Sequence, residues 1–270
     1  MFGLLSALVA ALAFSINAPL AYAASRRGMS SQALVAMRNV VALLALLPFA
    51  DFKIGAAALL LVVASALLGP GLGDYAYFKT ITHDGVATAV TVSYTYIFTA
   101  QLFATALGLE GVKLGAAAGA LLAFAGIYIA LGGRPRGVGV LYGSVASLSW
   151  GVASALLGVA SREASPYTIA VVRSAVLAPL FSLFTNINGI QRLGVIYAIL
   201  SGVVGLALGS TAFIYAMSQI GVAATVIATS LTPILSQILD RAINKSKISA
   251  KHILGAALVG LGIAASVMSD

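Results

Sequence analysis

The sequence predicts an all-α polytopic membrane protein with ten transmembrane helices, built as a five-plus-five inverted repeat of residues 1–134 and 137–270. Three observations carry this. Hydrophobic side chains make up 61% of the 270 residues and charged ones only 8%, whereas soluble domains carry about a quarter charged residues. Ten apolar runs are each long enough to approach the roughly 20 residues that cross a bilayer. The chain also matches itself when slid by 136 positions, the step from Gly3 to Gly139.

Taken in order, the runs fall at 3–24, 31–49, 55–78, 86–107, 111–131, 138–160, 166–184, 193–216, 222–239 and 250–268. Each is edged by Gly, Pro, Ser or a charge. The first ends at Ser25-Arg26-Arg27, the fourth lies between Gly85 and Gly108, the seventh opens on Pro166, and the ninth stops at Asp240. Segments such as Ala56 to Leu68 are apolar on every side, which excludes the alternating strands of a membrane barrel. Ala21-Tyr22-Ala23 resembles a signal-peptide cleavage site, but no Lys or Arg precedes the run, and the run has a repeat partner. Retention of the first helix is expected.

The repeat runs from end to end. Gly3, Ala10, Leu12, Leu20, Ser25 and Arg26 fall on Gly139, Ala146, Leu148, Leu156, Ser161 and Arg162. Gly69, Gly73, Gly85, Gln101, Gly119 and Gly126 fall on Gly205, Gly209, Gly221, Gln237, Gly255 and Gly262, and a one-residue slip brings Arg38 onto Arg173. Five crossings per half is an odd number, so the second half enters the membrane upside down. Inverted repeats of this kind build many secondary transporters around a midplane site.

Several function classes are excluded by composition. Without cysteine there is no disulfide framework, thiolate metal site or cysteine nucleophile. The net charge of +8 reads as loop placement on a membrane chain, not as nucleic-acid binding. Gly71-Leu72-Gly73-Asp74 matches the Gly-x-Gly-Asp pattern of intramembrane aspartyl proteases, which need two carboxylates sharing a proton. The other six acids (Asp51, Asp84, Glu110, Glu163, Asp240 and Asp270) fall in loops, turns or the tail. Lys79-Thr80 lacks the preceding glycine of a phosphate loop, His83 and His252 stand alone, and every lysine sits at a loop or span edge. No enzyme, cofactor or metal is expected.

Phe14-Ser15-Ile16-Asn17 resembles the aromatic-small-x-Asn signature of the first helix in the EamA-type branch of the drug/metabolite transporter superfamily. Arg38, Gly108-Leu109-Glu110, the glycine-rich stretch Gly115 to Gly126, Trp150-Gly151, Arg173 and Thr232-Pro233 are similar to that family as well. Two positions depart from it: Ile97 stands where a proline is expected, and Ser246 is the counterpart of Glu110. The resemblance covers the whole chain and implies a ten-helix carrier of small metabolites, often an exporter, in a cell membrane, with both termini inside. The charges imply the opposite. With the N-terminus inside, cytoplasmic loops would hold Lys53, Lys113 and Arg162 against Arg26, Arg27, Lys79, Arg134, Arg136, Arg192, Arg241, Lys245, Lys247 and Lys251 outside, so the positive-inside rule places the termini outside. A reporter fused at Asp270 distinguishes the two.

Charges within spans cost about 2.5–3.5 kcal/mol on insertion scales unless partnered or wetted. Arg38 lies ~10 Å and Asp74 ~8 Å from the same membrane face at 1.5 Å per residue, so a structural or gating ion pair is expected between them. Arg173, whose repeat partner position is Ser210, either binds carbonyls or snorkels, or meets an anionic substrate group. Polar and aromatic residues crowd the fourth helix from Thr91 to Gln101. The expected substrate-lining set is Asn17, Tyr94, Tyr96, Gln101, Trp150, Arg173 and Tyr215, with Gly69, Gly73, Gly205 and Gly209 allowing close helix approach. The expected function is alternating-access transport of a small polar metabolite such as an amino acid, with H+ or Na+ as a candidate coupling ion. The alternative is a non-transporting assembly or lipid-handling protein.

Overall fold

A computed structural model describes residues 1–111, 114–131, 137–186, 188–243 and 250–268. Every regular element among the described residues is helical. The first half contains α1 (Phe2–Ser25), α2 (Ser31–Leu46), α3 (Ala56–Ala66), α4 (Asp74–Ser93), α5 (Tyr96–Ala106) and α6 (Leu114–Leu131). The second contains α7 (Val138–Ala160), α8 (Pro166–Ser182), α9 (Arg192–Ser201), α10 (Thr211–Thr229), α11 (Thr232–Ile243) and α12 (Ala250–Met268). A π-helical segment, Leu67–Gly73, joins α3 to α4, and another, Gly202–Ser210, joins α9 to α10.

These twelve helices make ten crossings. Among the described residues, five helical stretches are long and apolar enough to span a membrane on their own: Phe2–Ser25, Ser31–Phe49, Ala56–Val86, Val138–Ala160 and Arg192–Thr229. The sequence expectation of a loop at 79–85 needs correction, because the helix runs on to a kink at Gly85 (φ 80°, ψ 173°). Gly221 makes the same kink (φ 78°, ψ 178°) in α10. Only glycine adopts such torsions without strain, so one residue replaces each loop. The fourth and ninth crossings are each broken in mid-membrane, at Tyr94-Thr95 and Ser230-Leu231. The first break needs no proline, since the Thr95 hydroxyl donates to the Val92 carbonyl at 2.7 Å; the Ser230 hydroxyl donates to Ile227 O at 2.5 Å in the second. Such bonds satisfy carbonyls that a broken helix frees.

Small residues face inward and large apolar ones outward, as expected where lipid solvates leucine as well as a protein core does. On α1 the buried positions include Ala7, Ala10, Ala11, Ala13 and Ala18, while Leu5 and Leu12 are more than half exposed.

The crossings alternate between two faces. On one face Glu110 accepts from the backbone N–H groups of Val222 and Ala223, Arg162 reaches the Leu109 carbonyl, and Thr168 donates to Asp51. On the other, Gln191 N donates to Arg27 O and Asp84 lies against Gly139. Reciprocal contacts then relate the halves. Added methyls at Gly126 and Gly262 would stand 2.5 Å from the carbonyls of Gly255 and Gly119 respectively, where α6 packs on α12. Both contacts share the 136-residue offset, so the two halves make the same contact on each other. Lys113, Arg134, Arg136, Lys245, Ser246, Lys247 and Asp270 lie outside the described residues, as do the side chains of Gln237, Asp240, Arg241 and His252.

Candidate functional site

The two halves enclose a hollow of about 110 Å³ at the bundle centre, next to the π-helical segments and the first of the two mid-membrane breaks. Its charged wall begins on α2, which Ser30 starts by accepting from Ala33 N at 3.1 Å. Two turns further on, Arg38 Nη1 donates to Asp74 Oδ2 at 2.6 Å. Asp74 opens α4 after the Pro70-containing π segment, where the wider turn and a missing proline N–H interrupt regular bonding. Its second oxygen accepts from Trp150 Nε1 at 3.0 Å. The Arg38 guanidinium also lies 4.9 Å from the Phe78 ring centre, and the residue is 2% exposed. The pair is buried and charge-assisted, and Asp74 accepts twice, as a tolerated intramembrane ion pair requires, while Arg38 Nε is buried without a partner.

The second half answers with Arg173 on α8, a helix that Ser165 caps through Thr168 N at 3.2 Å. Arg173 Nη1 donates to Ser210 Oγ at 3.3 Å and Nη2 to Ser65 O at 3.4 Å. Ser210 is the repeat counterpart of Asp74, so the same junction exists twice, once with an acid and once with a hydroxyl.

Aromatic rings line another side of the hollow. Trp150 packs 5.0 Å from Tyr77, 5.8 Å from Tyr96 and 6.2 Å from Tyr94 between ring centres. The Tyr96 hydroxyl pairs with Thr229 at 2.8 Å across the halves. Asn17 accepts a short hydrogen bond from Ser201 and faces the hollow near Gly205.

Of the residues singled out in the sequence, Asn17, Arg38, Gly69, Asp74, Tyr94, Tyr96, Trp150 and Arg173 line the hollow together. Gln101 and Tyr215 do not. Gln101 turns back to donate to the Ile97 carbonyl at 2.9 Å, and Tyr215 points outward, 38% exposed. The four glycines, expected from the sequence to let helices approach closely, make room for side chains of the opposite half. Arg173 overlies Gly69 and Arg38 overlies Gly205, while the Trp150 ring covers Gly73 and the Phe14 ring covers Gly209. Sequence reasoning missed Phe14, Tyr77, Ser154 and Phe213 as lining residues. The repeat held a signal for one of them, since Phe14 sits 136 positions before Trp150.

The EamA-like transporter family model matches residues 1–132 and again 137–268. The chain belongs to the EamA-like transporter family. It is therefore an integral membrane transporter of the drug/metabolite type, and the helical, doubly repeated architecture is that expected of an EamA-like protein. Among solved structures, a crystal structure described only as that of a protein aligns over 98% of this chain and 96% of its own, with a TM-score of 0.72 and 20% identity. At that identity the likeness concerns the fold alone. No curated protein matches this EamA-like chain.

Proposed function

We propose that this protein is an alternating-access carrier of a small polar metabolite, working in the cell membrane and driven by an H+ or Na+ gradient or by the solute's own. The observation that carries this reading is the hollow, placed where the two halves meet and lined from both. Kinks at Gly85 and Gly221, breaks at Tyr94-Thr95 and Ser230-Leu231, and two π-helical segments supply paired points of bending. Rocking of one half against the other would exchange the roles of repeat-related contacts, as inverted-repeat carriers do. A non-transporting assembly protein would have no need of a polar, charged hollow at its centre. Purified protein in proteoliposomes, offered a panel of amino acids, organic acids, nucleosides and sugars, should show saturable flux of at least one solute. Only linear, non-saturating flux across the panel would defeat the reading.

A further inference from the structure

We infer that the hollow binds a small monocarboxylate, with the Arg173 guanidinium as the carboxylate's anchor. This rests on the carrier reading for its transport meaning and on the following geometry for its chemistry.

Two arginines and one acid line the hollow, so its described lining carries one surplus positive charge. The surplus is local to Arg173. Arg38 holds Asp74 at 2.6 Å, and the other Asp74 oxygen is taken by Trp150. No carboxylate among the described residues lies within salt-bridge distance of Arg173. Its two hydrogen-bond partners are neutral and long, at 3.3 and 3.4 Å against a usual 2.9–3.0 Å. Arg173 is only 7% exposed yet lines the hollow. A buried guanidinium with weakly held neutral partners beside a polar hollow can exchange them for a carboxylate.

The same geometry argues against other ligand classes. The surplus of one charge matches a monoanion and not a phosphate dianion. A zwitterionic amino acid would bring an ammonium to a hollow whose one acid among the described lining residues, Asp74, already has its charge balanced by Arg38. The volume, about 110 Å³, is of the order of the roughly 150 Å³ cavity that takes benzene, which suits a small carboxylate. The hydroxyl of Ser154 and the amide of Asn17, which also line the hollow, suit a hydroxylated chain.

The test uses the purified full chain in detergent and isothermal titration with sodium lactate, lactamide, alanine, sodium phosphate and sodium sulfate at neutral pH. Lactate should bind about tenfold or more tightly than lactamide, the discrimination expected when one charged hydrogen-bonding contact is lost, and more tightly than alanine or the inorganic anions. Arg173→Gln should abolish the preference for lactate over lactamide, and Arg173→Lys should restore part of it. Ser210→Asp gives Arg173 the partner that Arg38 already has, so it too should remove lactate binding while leaving the arginine in place; it decides the matter if Arg173→Gln fails to fold. Absence of lactate binding, equal binding of lactamide or alanine, tighter binding of phosphate or sulfate, or wild-type lactate affinity in Ser210→Asp would overturn the assignment. The two readings also fail separately. Arg173-dependent lactate binding without saturable flux of any solute would remove the carrier reading and keep the site. Saturable flux of a neutral solute that lactate does not inhibit would do the reverse.

Discussion

Trp150 Nε1 donates to Asp74 Oδ1 at 3.0 Å, so a ring from the second half completes the ion pair of the first. Asp74 thus holds Arg38 and Trp150 at once, and its removal strands a guanidinium that is 2% exposed. Asp74→Asn should lower stability by about 3 kcal/mol, the low end for breaking a buried pair, because Asp74 is 13% exposed. The double variant Arg38→Met, Asp74→Leu should recover most of that loss, since neither charge then remains buried. Thermal melting of wild type, Asp74→Asn and the double variant in detergent checks this. A double variant no more stable than Asp74→Asn would show that the pair does more than neutralise itself.

Rings close over glycines at equivalent places in the two halves. An added methyl at Gly73 would stand 2.5 Å from Trp150 Cδ1, and one at Gly209 would stand 2.8 Å from Phe14 Cε1. Gly73→Ala and Gly209→Ala should each destabilise by about 1–3 kcal/mol, the usual cost of overpacking. The displaced rings would also enter the hollow. Phe14→Leu should rescue Gly209→Ala but leave Gly73→Ala unchanged, which melting curves of the single and double variants test directly.

The repeat made most of the architecture readable, because glycines at one fixed offset mark positions where backbone or ring must come close whatever the surrounding apolar alphabet. Arg38, Asp74 and Arg173 stood out for the same reason that they matter: a charge within an apolar run needs a partner or water. Gln101 misled because a helical side chain in lipid satisfies itself on its own carbonyl four residues back, and nothing in composition distinguishes that from facing a cavity. The kinks at Gly85 and Gly221 were read as loop ends because polar residues, Lys79, Thr82, His83 and Asp84 before Gly85 and Ser218 and Gln219 before Gly221, continue the helix up to a single positive-φ glycine. Phe213 was hidden among other apolar residues; its place 5.8 Å from Phe14 depends on how α1 meets α10.

The fifth and tenth crossings offer a contrast within one helix. An added methyl at Gly126 or Gly262 would meet a carbonyl at 2.5 Å, whereas nothing lies within 4 Å of one at Gly260. Gly126→Ala and Gly262→Ala must push α6 and α12 apart, and should lower stability by about 1–3 kcal/mol each. Gly260→Ala should be neutral or stabilising by up to about 1 kcal/mol, as for alanine in an unobstructed helix. A substantial loss for Gly260→Ala, or none for the other two, would contradict the packing.

Outside the membrane, Asp51 ties the connection before α3 to the start of α8. Its carboxylate accepts from Thr168 Oγ1 at 2.6 Å and Ser165 Oγ at 3.2 Å. The Thr168 hydrogen bond is the main reason its pKa lies below the ordinary 3.8. A carboxylate whose native pKa is depressed adds stability above its unfolded pKa and loses it as pH falls through the native value. Thr168→Val should therefore melt below wild type at neutral pH, and the gap should narrow as pH is taken from about 6 toward about 3. In an Asp51→Asn background the Thr168→Val difference should lose its pH dependence. A gap that stays constant with pH in the Asp51 protein would mean that the valine acts through the α8 cap and not through the carboxylate.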